Sequence, residues 1–237
     1  MADFLRDSLE KIGYNATDLQ CEQLNSFHKL LCEWNEFMNL TGITEYDEVV
    51  IKHFVDSLAV NCVYSFKKTD RVVDIGTGAG FPGIPLKIMY PDTDFTLLDS
   101  LNKRIKFLDE VIRQTSLKSI ETLHGRAEDY AKNRDYREKF DVCVSRAVAN
   151  LSTLSEYCLP YVKVGGCFIA YKAGQLDEEL KSAERAVELL GGEIADVHRL
   201  TLPDTDIDRT FVVIKKTAAT SKKYPRKAGL PAKEPLQ

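Results

Sequence analysis

One stretch restricts this chain more than any other. Val73-Asp74-Ile75-Gly76-Thr77-Gly78-Ala79-Gly80-Phe81-Pro82-Gly83 follows a short β-branched run and precedes a helical pattern. Glycines at every second position let the backbone turn sharply and let a ligand lie against bare main chain. The next β-rich run ends in Asp99, where a carboxylate can accept two hydrogen bonds from a ribose diol. A glycine loop followed by an acid at the end of the second strand predicts an adenosine-containing cofactor on a doubly wound sheet.

From Arg71 onward, short runs rich in β-branched residues alternate with helical segments, as in a parallel sheet with crossover helices. Strands are predicted at 71–75, 95–99, 119–123, 140–145 and 165–171. Helices are predicted at 83–90, 102–115, 127–132, 150–162 and 175–190, the last stopping at Gly191-Gly192. The alternation then breaks, because strands at 193–202 and 209–215 are joined by a loop too short for a helix. That last pair must be antiparallel. Ahead of the sheet, Leu19, Leu24, Phe27, Leu30, Leu31, Trp34, Phe37 and Met38 recur at helical spacing behind a Thr17/Gln20 capping box. A second helix is expected from about Asp47 to Cys62. The expected organisation is a helical N-terminal cap (1–66), a Rossmann-like α/β domain (67–216) and a basic tail (217–237).

Composition narrows the function. Apolar residues make up 44% and charged residues 29%, as in globular proteins. No apolar run is long enough to cross a membrane, and the first residues lack the apolar stretch of a secretory signal, so a cytosolic location is expected. The six cysteines form no C-x-x-C pair and sit in apolar segments. They are read as reduced, core-filling thiols, with no metal site. The net charge of −4 hides an asymmetry: Lys215, Lys216, Lys222, Lys223, Arg226, Lys227 and Lys233 face a single acid, Glu234, in the last stretch of chain. An acidic body with a cationic tail suits a polyanion ligand. The tail also carries Pro225, Pro231 and Pro235 and few large apolar groups, so it is expected to be loosely ordered without a partner.

Two cofactor classes compete for the loop. A nicotinamide dinucleotide fold wants G-x-G-x-x-G, with a helix N-terminus aimed at the pyrophosphate. Here Phe81 stands where the third glycine would be, and the spacing is D-x-G-x-G-x-G from Asp74 to Gly80. Asp74 would repel a pyrophosphate but suits a sulfonium ligand, S-adenosylmethionine. The residues therefore favour a class I methyltransferase, with Asp74, Gly76, Gly78 and Asp99 at the cofactor. A nicotinamide-dependent oxidoreductase and an incidental structural turn stay open at this point.

Further motifs extend the pattern: Trp34-Asn35 with Asn39-Leu40-Thr41, His53 with Asp56-Ser57-Leu58, Asp74 to Pro85, Leu98-Asp99-Ser100 with Lys103-Arg104, Gly125-Arg126-Ala127-Glu128, Ser145-Arg146-Ala147, and Tyr224-Pro225-Arg226-Lys227-Ala228-Gly229. With these the chain resembles the RsmG (GidB) family of bacterial 16S ribosomal RNA guanine-N7 methyltransferases over nearly its full length. The resemblance implies cofactor contacts at Gly76, Phe81, Ala127, Glu128 and Arg146, and a partner in 16S ribosomal RNA or a small-subunit precursor. Guanine N7 carries a lone pair and no proton, so catalysis is expected to rest on positioning, without a general base. Arg146 is the candidate catalytic residue, because its fork of donors can reach O6 or a phosphate. His53 and Asp56 are lesser candidates, since such helical residues more often serve packing.

Lys103 and Arg104 fall in the first turn of a predicted helix, where the macrodipole disfavours cations by roughly 0.3–1 kcal/mol each. With Lys172, Arg209, Tyr224, Arg226 and Lys227 they are read as one RNA-binding edge around the cofactor mouth, Tyr224 and Arg226 being able to stack on unpaired bases. Loss of residues 217–237 is then expected to weaken RNA methylation and spare cofactor binding. An RNA-binding ribosome-assembly factor that has lost catalysis is the other class left open by the resemblance.

Overall fold

The computed structural model describes residues 2–146, 149–174 and 176–237. Ala147 of the Ser-Arg-Ala motif and Gln175, at the predicted start of a helix, lie outside the described residues. The β-branched runs form one sheet: β1 (Arg71–Ile75), β2 (Asp94–Asp99), β3 (Ile120–His124), β4 (Phe140–Ser145), β5 (Val162–Lys172), β6 (Gly192–Thr201) and β7 (Asp208–Lys216). Their order is β3-β2-β1-β4-β5-β7-β6. Strands β1 to β5 pair in parallel, and β7 inserts antiparallel between β5 and β6. The chain runs outward from β1 through β2 to β3, then restarts at β4 on the other side of β1. Such a reversal opens a crevice beyond the carboxyl ends of the central strands.

Alternate residues of each strand enter two separate cores, as the pleat requires. On one face, Val72, Leu97, Val142, Ile169 and Phe211 pack against the N-terminal helices α1 (Ala2–Glu10) and α2 (Asp18–Met38), and against α5 (Gly83–Met89) and α6 (Asn102–Gln114). On the other, Val73, Leu98, Cys143, Phe168 and Val212 pack against α8 (Leu151–Cys158) and α9 (Asp177–Leu189). The N-terminal helices thus share a continuous core with the sheet. Phe27 of α2 is their main anchor, its ring 5.1 Å from Phe81, 5.8 Å from Phe54 and 6.2 Å from Phe107.

Local chemistry explains the element ends. The Thr17/Gln20 capping box opens α2, and Asn39 closes it in the left-handed region. The Asn35 carboxamide then accepts hydrogen bonds from Leu40 N at 2.7 Å and Thr41 N at 2.9 Å, which turns those two residues toward the sheet edge. The helix expected at 150–162 instead ends at Cys158 and continues as a 3₁₀ turn, Leu159–Tyr161. Pro160 has no N–H to continue the helical ladder.

Two expectations are corrected. The segment near Asp47–Cys62 is not one regular helix but α3 (Tyr46–Val49), a π-helical stretch (Val50–Val55), α4 (Asp56–Leu58) and a 3₁₀ turn (Ala59–Cys62). Its wide turn brings His53 and Asp56 to the sheet edge, and such π turns are frequent at functional sites. The tail, expected to be loosely ordered, is packed on the body. Tyr224 is buried in the second core, the Arg137 guanidinium donates to Thr220 O (2.7 Å), Ser221 O (3.2 Å) and Tyr224 O (3.0 Å), and a last short helix, α7 being Ala127–Tyr130 and α10 Leu230–Lys233, follows. Tyr224 and side-chain hydrogen bonds from distant residues dock it, and composition gives no warning of those partners.

Replacing Phe27 by Ala removes the ring that joins α2 to Phe81. The expected cost is ~3–5 kcal/mol, read as a lower urea midpoint with an unchanged denaturant slope.

Candidate active site

The loop between β1 and α5 is held by main-chain bonds to β2: Gly76 N and Thr77 N both donate to Leu98 O, at 2.9 and 3.1 Å. Gly78, at φ +61°, then turns its amide onto Asp99 Oδ2 at 3.0 Å. Gly83 is required for a different reason: a Cβ there would stand 2.3 Å from Leu97 Cδ2 and 2.8 Å from Asp74 Oδ2. That close approach lets Gly83 N donate to Asp74 Oδ2 at 2.9 Å.

The loop forms one wall of a cavity of about 460 Å³, within the usual size of small-ligand sites. Gly76, Gly78 and Phe81 line it from the loop, Asp99 from β2, Ala127 and Glu128 from α7, and Arg146 from the end of β4. The structure thus brings these predicted cofactor residues together. Asp74 is the exception and a correction. It is fully buried, away from the cavity, and serves the loop by capping the first amide of α5. Burial pushes its carboxyl up to about 7, against the opposing pull of the Thr77 hydroxyl, the Gly83 amide and Arg146.

The same capping bond discriminates between cofactors. A dinucleotide fold offers its helix N-terminus to pyrophosphate, whereas here that amide is committed to a carboxylate. An adenosyl group fits what remains. Asp99 is 2% exposed and accepts from Gly78 N, Leu101 N (2.9 Å) and Arg104 Nη1 (3.1 Å), leaving acceptor capacity for a ribose hydroxyl. Leu98, Ala79 and Leu154 supply apolar wall, and Glu128 a carboxylate opposite in charge to a sulfonium.

A second cavity, about 720 Å³, shares His53 and Arg146 with the first. Lys52, Asp56, Tyr171, Lys172, Glu179 and Arg209 line it. The partition is a stack: the His53 ring lies 4.4 Å from Phe81, and the Arg146 guanidinium sits 5.0 Å from the centre of the same ring. Burial and the neighbouring Arg146 push the His53 imidazole down to about 4, so it is neutral near pH 7. Its Nδ1 lies 3.1 Å from Lys52 O and 3.4 Å from Arg146 Nη2, and its Nε2 2.9 Å from Thr41 Oγ1. Asp56, 1% exposed, binds Arg146 Nη1 at 2.7 Å and Arg209 Nε at 2.5 Å. The helical spacing of His53 and Asp56 says nothing of a partner arginine ninety residues away.

The single RNA edge expected from sequence does not form. Arg104 turns into the first cavity and binds Asp99, while Lys172 and Arg209 line the second, paired with Glu179 at 2.6 Å and with Asp56. Tyr224 is buried, and Arg226 is held by Glu156, so neither is available to stack on a base. Lys103 and Lys227 remain exposed, Lys103 with its amine on Met38 O at 2.7 Å. Among the described residues, no helix is long and apolar enough to cross a membrane, and no group of three or more His, Cys, Asp or Glu is placed to hold a metal.

The sheet order, the glycine wall and Asp99 at the end of β2 define a class I S-adenosylmethionine-dependent methyltransferase. Comparison with known proteins is more specific. The family described as rRNA small subunit methyltransferase G (GidB) matches residues 20–208. A ribosomal RNA small subunit methyltransferase G from Lachnoclostridium phytofermentans is 55% identical over 96% of this chain and 94% of its own. One from Alkaliphilus oremlandii is 51% identical over 100% and 99%. The chain belongs to this family. Among solved structures, TYW2 from M. jannaschii, crystallised with AdoMet, shares the fold at 12% identity with a TM-score of 0.55, over 74% of this chain and 79% of that one.

The raised Asp74 carboxyl gives a pH prediction. A group at about 7 when folded and 3.8 when exposed costs stability as pH rises between those values. Asp74→Asn keeps an oxygen for Gly83 N and does not titrate. Thermal melts of the ligand-free chain should therefore show the variant gaining on the parent from pH 4 to pH 8, and equal slopes would refute the burial penalty.

Proposed function

We propose that this chain transfers the methyl group of S-adenosylmethionine to N7 of a guanine in 16S ribosomal RNA, acting on the RNA or a small-subunit precursor in the cytoplasm. One observation carries the reading: two cavities at the carboxyl edge of the sheet meet at the partition built from Phe81, His53 and Arg146. The first cavity has the lining an adenosyl group needs, and the second is large enough for a purine. When bound, the cofactor supplies an electrophilic methyl on a sulfonium sulfur, which the N7 lone pair takes as a neutral thioether departs.

The chain's own residues have no proton to move. Neutral His53 is consistent with this, because both its nitrogens are engaged within the protein. Gly76, Gly78, Asp99, Ala127 and Glu128 would hold the cofactor, with Asp74 supporting the loop behind them. Arg146 orients the acceptor, its guanidinium offering donors to guanine O6. Asp56 fixes Arg146 and Arg209 together and places a buried negative charge beside the acceptor cavity. Exposed Lys103 and Lys227 are left to meet phosphate.

The test is methylation of small-subunit ribosomal RNA lacking the modification, followed by mapping of the labelled nucleotide. Label on a guanine N7 is expected, and label on a pyrimidine or on protein would overturn the assignment. Arg146→Ala should lower kcat by about 10²-fold, the scale of removing one donor aimed at the reacting group. Asp99→Ala should instead act chiefly on S-adenosylhomocysteine affinity, by roughly tenfold or more.

A further inference from the structure

Glu128 is the cofactor-cavity carboxylate whose orientation the sheet alone does not determine. It lies on α7, a helix of only four residues, and is 4% exposed. Its Oε1 accepts a hydrogen bond from Gly229 N at 2.7 Å, from a residue one hundred and one positions later in the chain. A buried carboxylate needs such a donor, and here the tail provides it.

The rest of the tail is built to hold that amide in place. Glu156 of α8, fully buried, receives Arg226 through four contacts: Arg226 N at 2.8 Å, Nε at 2.9 and 3.0 Å, and Nη2 at 2.6 Å. Bidentate guanidinium–carboxylate pairs of this kind fix direction as well as distance. Thr153 Oγ1 donates to Pro231 O at 3.1 Å on the far side of Gly229. Arg137 closes the loop at the other end, donating to Tyr224 O at 3.0 Å and to Ala131 O, just after α7, at 3.1 Å. Gly229 itself stands at φ +82°, with no atom within 4 Å of where a Cβ would be. Glycine is needed there for the turn of the chain and not for space.

We propose that residues 224–233 form a strap that positions Glu128 for the cofactor, with Arg226 and Gly229 as positioning residues. This reverses the role expected of the tail from its charge. Its most informative residues face inward to the cofactor wall, and only cations such as Lys222, Lys223 and Lys227 stay at the surface. The proposal rests on the cofactor reading given above and deepens it.

The experiment compares the parent chain with a version ending at Lys227, which keeps Tyr224, Arg226 and lysines 222, 223 and 227 but loses the Gly229 amide together with the Pro231 and Glu234 carbonyls and Lys233. S-adenosylhomocysteine binding is measured by calorimetry, and ribosomal RNA binding separately without cofactor. The shortened chain should bind S-adenosylhomocysteine about tenfold more weakly, as expected for one hydrogen bond to a charged group, with RNA affinity unchanged. In a Glu128→Ala background the same truncation should cause no further loss. If the shortened chain does not fold, Gly229→Ala displaces the same amide through its φ alone and takes its place in the cycle. Unchanged cofactor affinity, or an equal loss with and without Glu128, overturns the strap, as does a loss confined to RNA binding. A parent chain that fails to bind S-adenosylhomocysteine would instead refute the cofactor reading.

Discussion

The site depends on two carboxylates at the ends of adjacent strands, each holding one amide of the same glycine loop. Asp74 on β1 takes Gly83 N, and Asp99 on β2 takes Gly78 N. Without them the loop's amides would be left facing an apolar interior, and a buried donor without a partner costs about 1–3 kcal/mol. The two acids do different work because their surroundings differ. Asp74 is sealed among side chains and stiffens the turn, while Asp99 keeps one side on the cavity. The pleat separates these neighbours from the packing residues on either side, so a rigid ligand wall arises directly from strand geometry.

Much of this was legible in the sequence. The alternation after Arg71 predicts the parallel order, and the short loop before Asp208 predicts the antiparallel pair. The glycine spacing and Asp99 locate the cavity, because all of them lie within one strand–turn–helix–strand unit whose geometry is local. What could not be read depends on residues distant in the chain. Asp56 gains its meaning from Arg146 and Arg209, and the tail gains its order from Arg137, Glu128 and Glu156. A count of lysines and arginines cannot tell a cation facing solvent from one facing a buried acid, as Arg226 faces Glu156. The same blindness applied to Asp74, where the sequence shows a charge beside a ligand loop but not which way it points.

The arginine pair around Asp56 shows how one buried acid can hold two cations close together. Taken alone, either guanidinium near the partition would be partly buried and repelled by the other. Their shared carboxylate fixes both, at bonding distances of 2.5 and 2.7 Å. Removing a shared buried acid of this kind leaves two uncompensated charges, so the arrangement fixes geometry more than it adds stability.

The position of β7 has a cost during folding. It sits inside the sheet, yet it arrives after β6, which lies at the edge. Until the β6–β7 hairpin is in place, β5 exposes unpaired amides and carbonyls from Cys167 to Lys172, with Phe168, Ile169 and Tyr171 among them. Open rims of that sort recruit strands from other molecules, and pairings between distant parts of a chain form slowly. A nascent chain that has reached Lys172 but not Asp208 therefore carries an open sheet edge at β5.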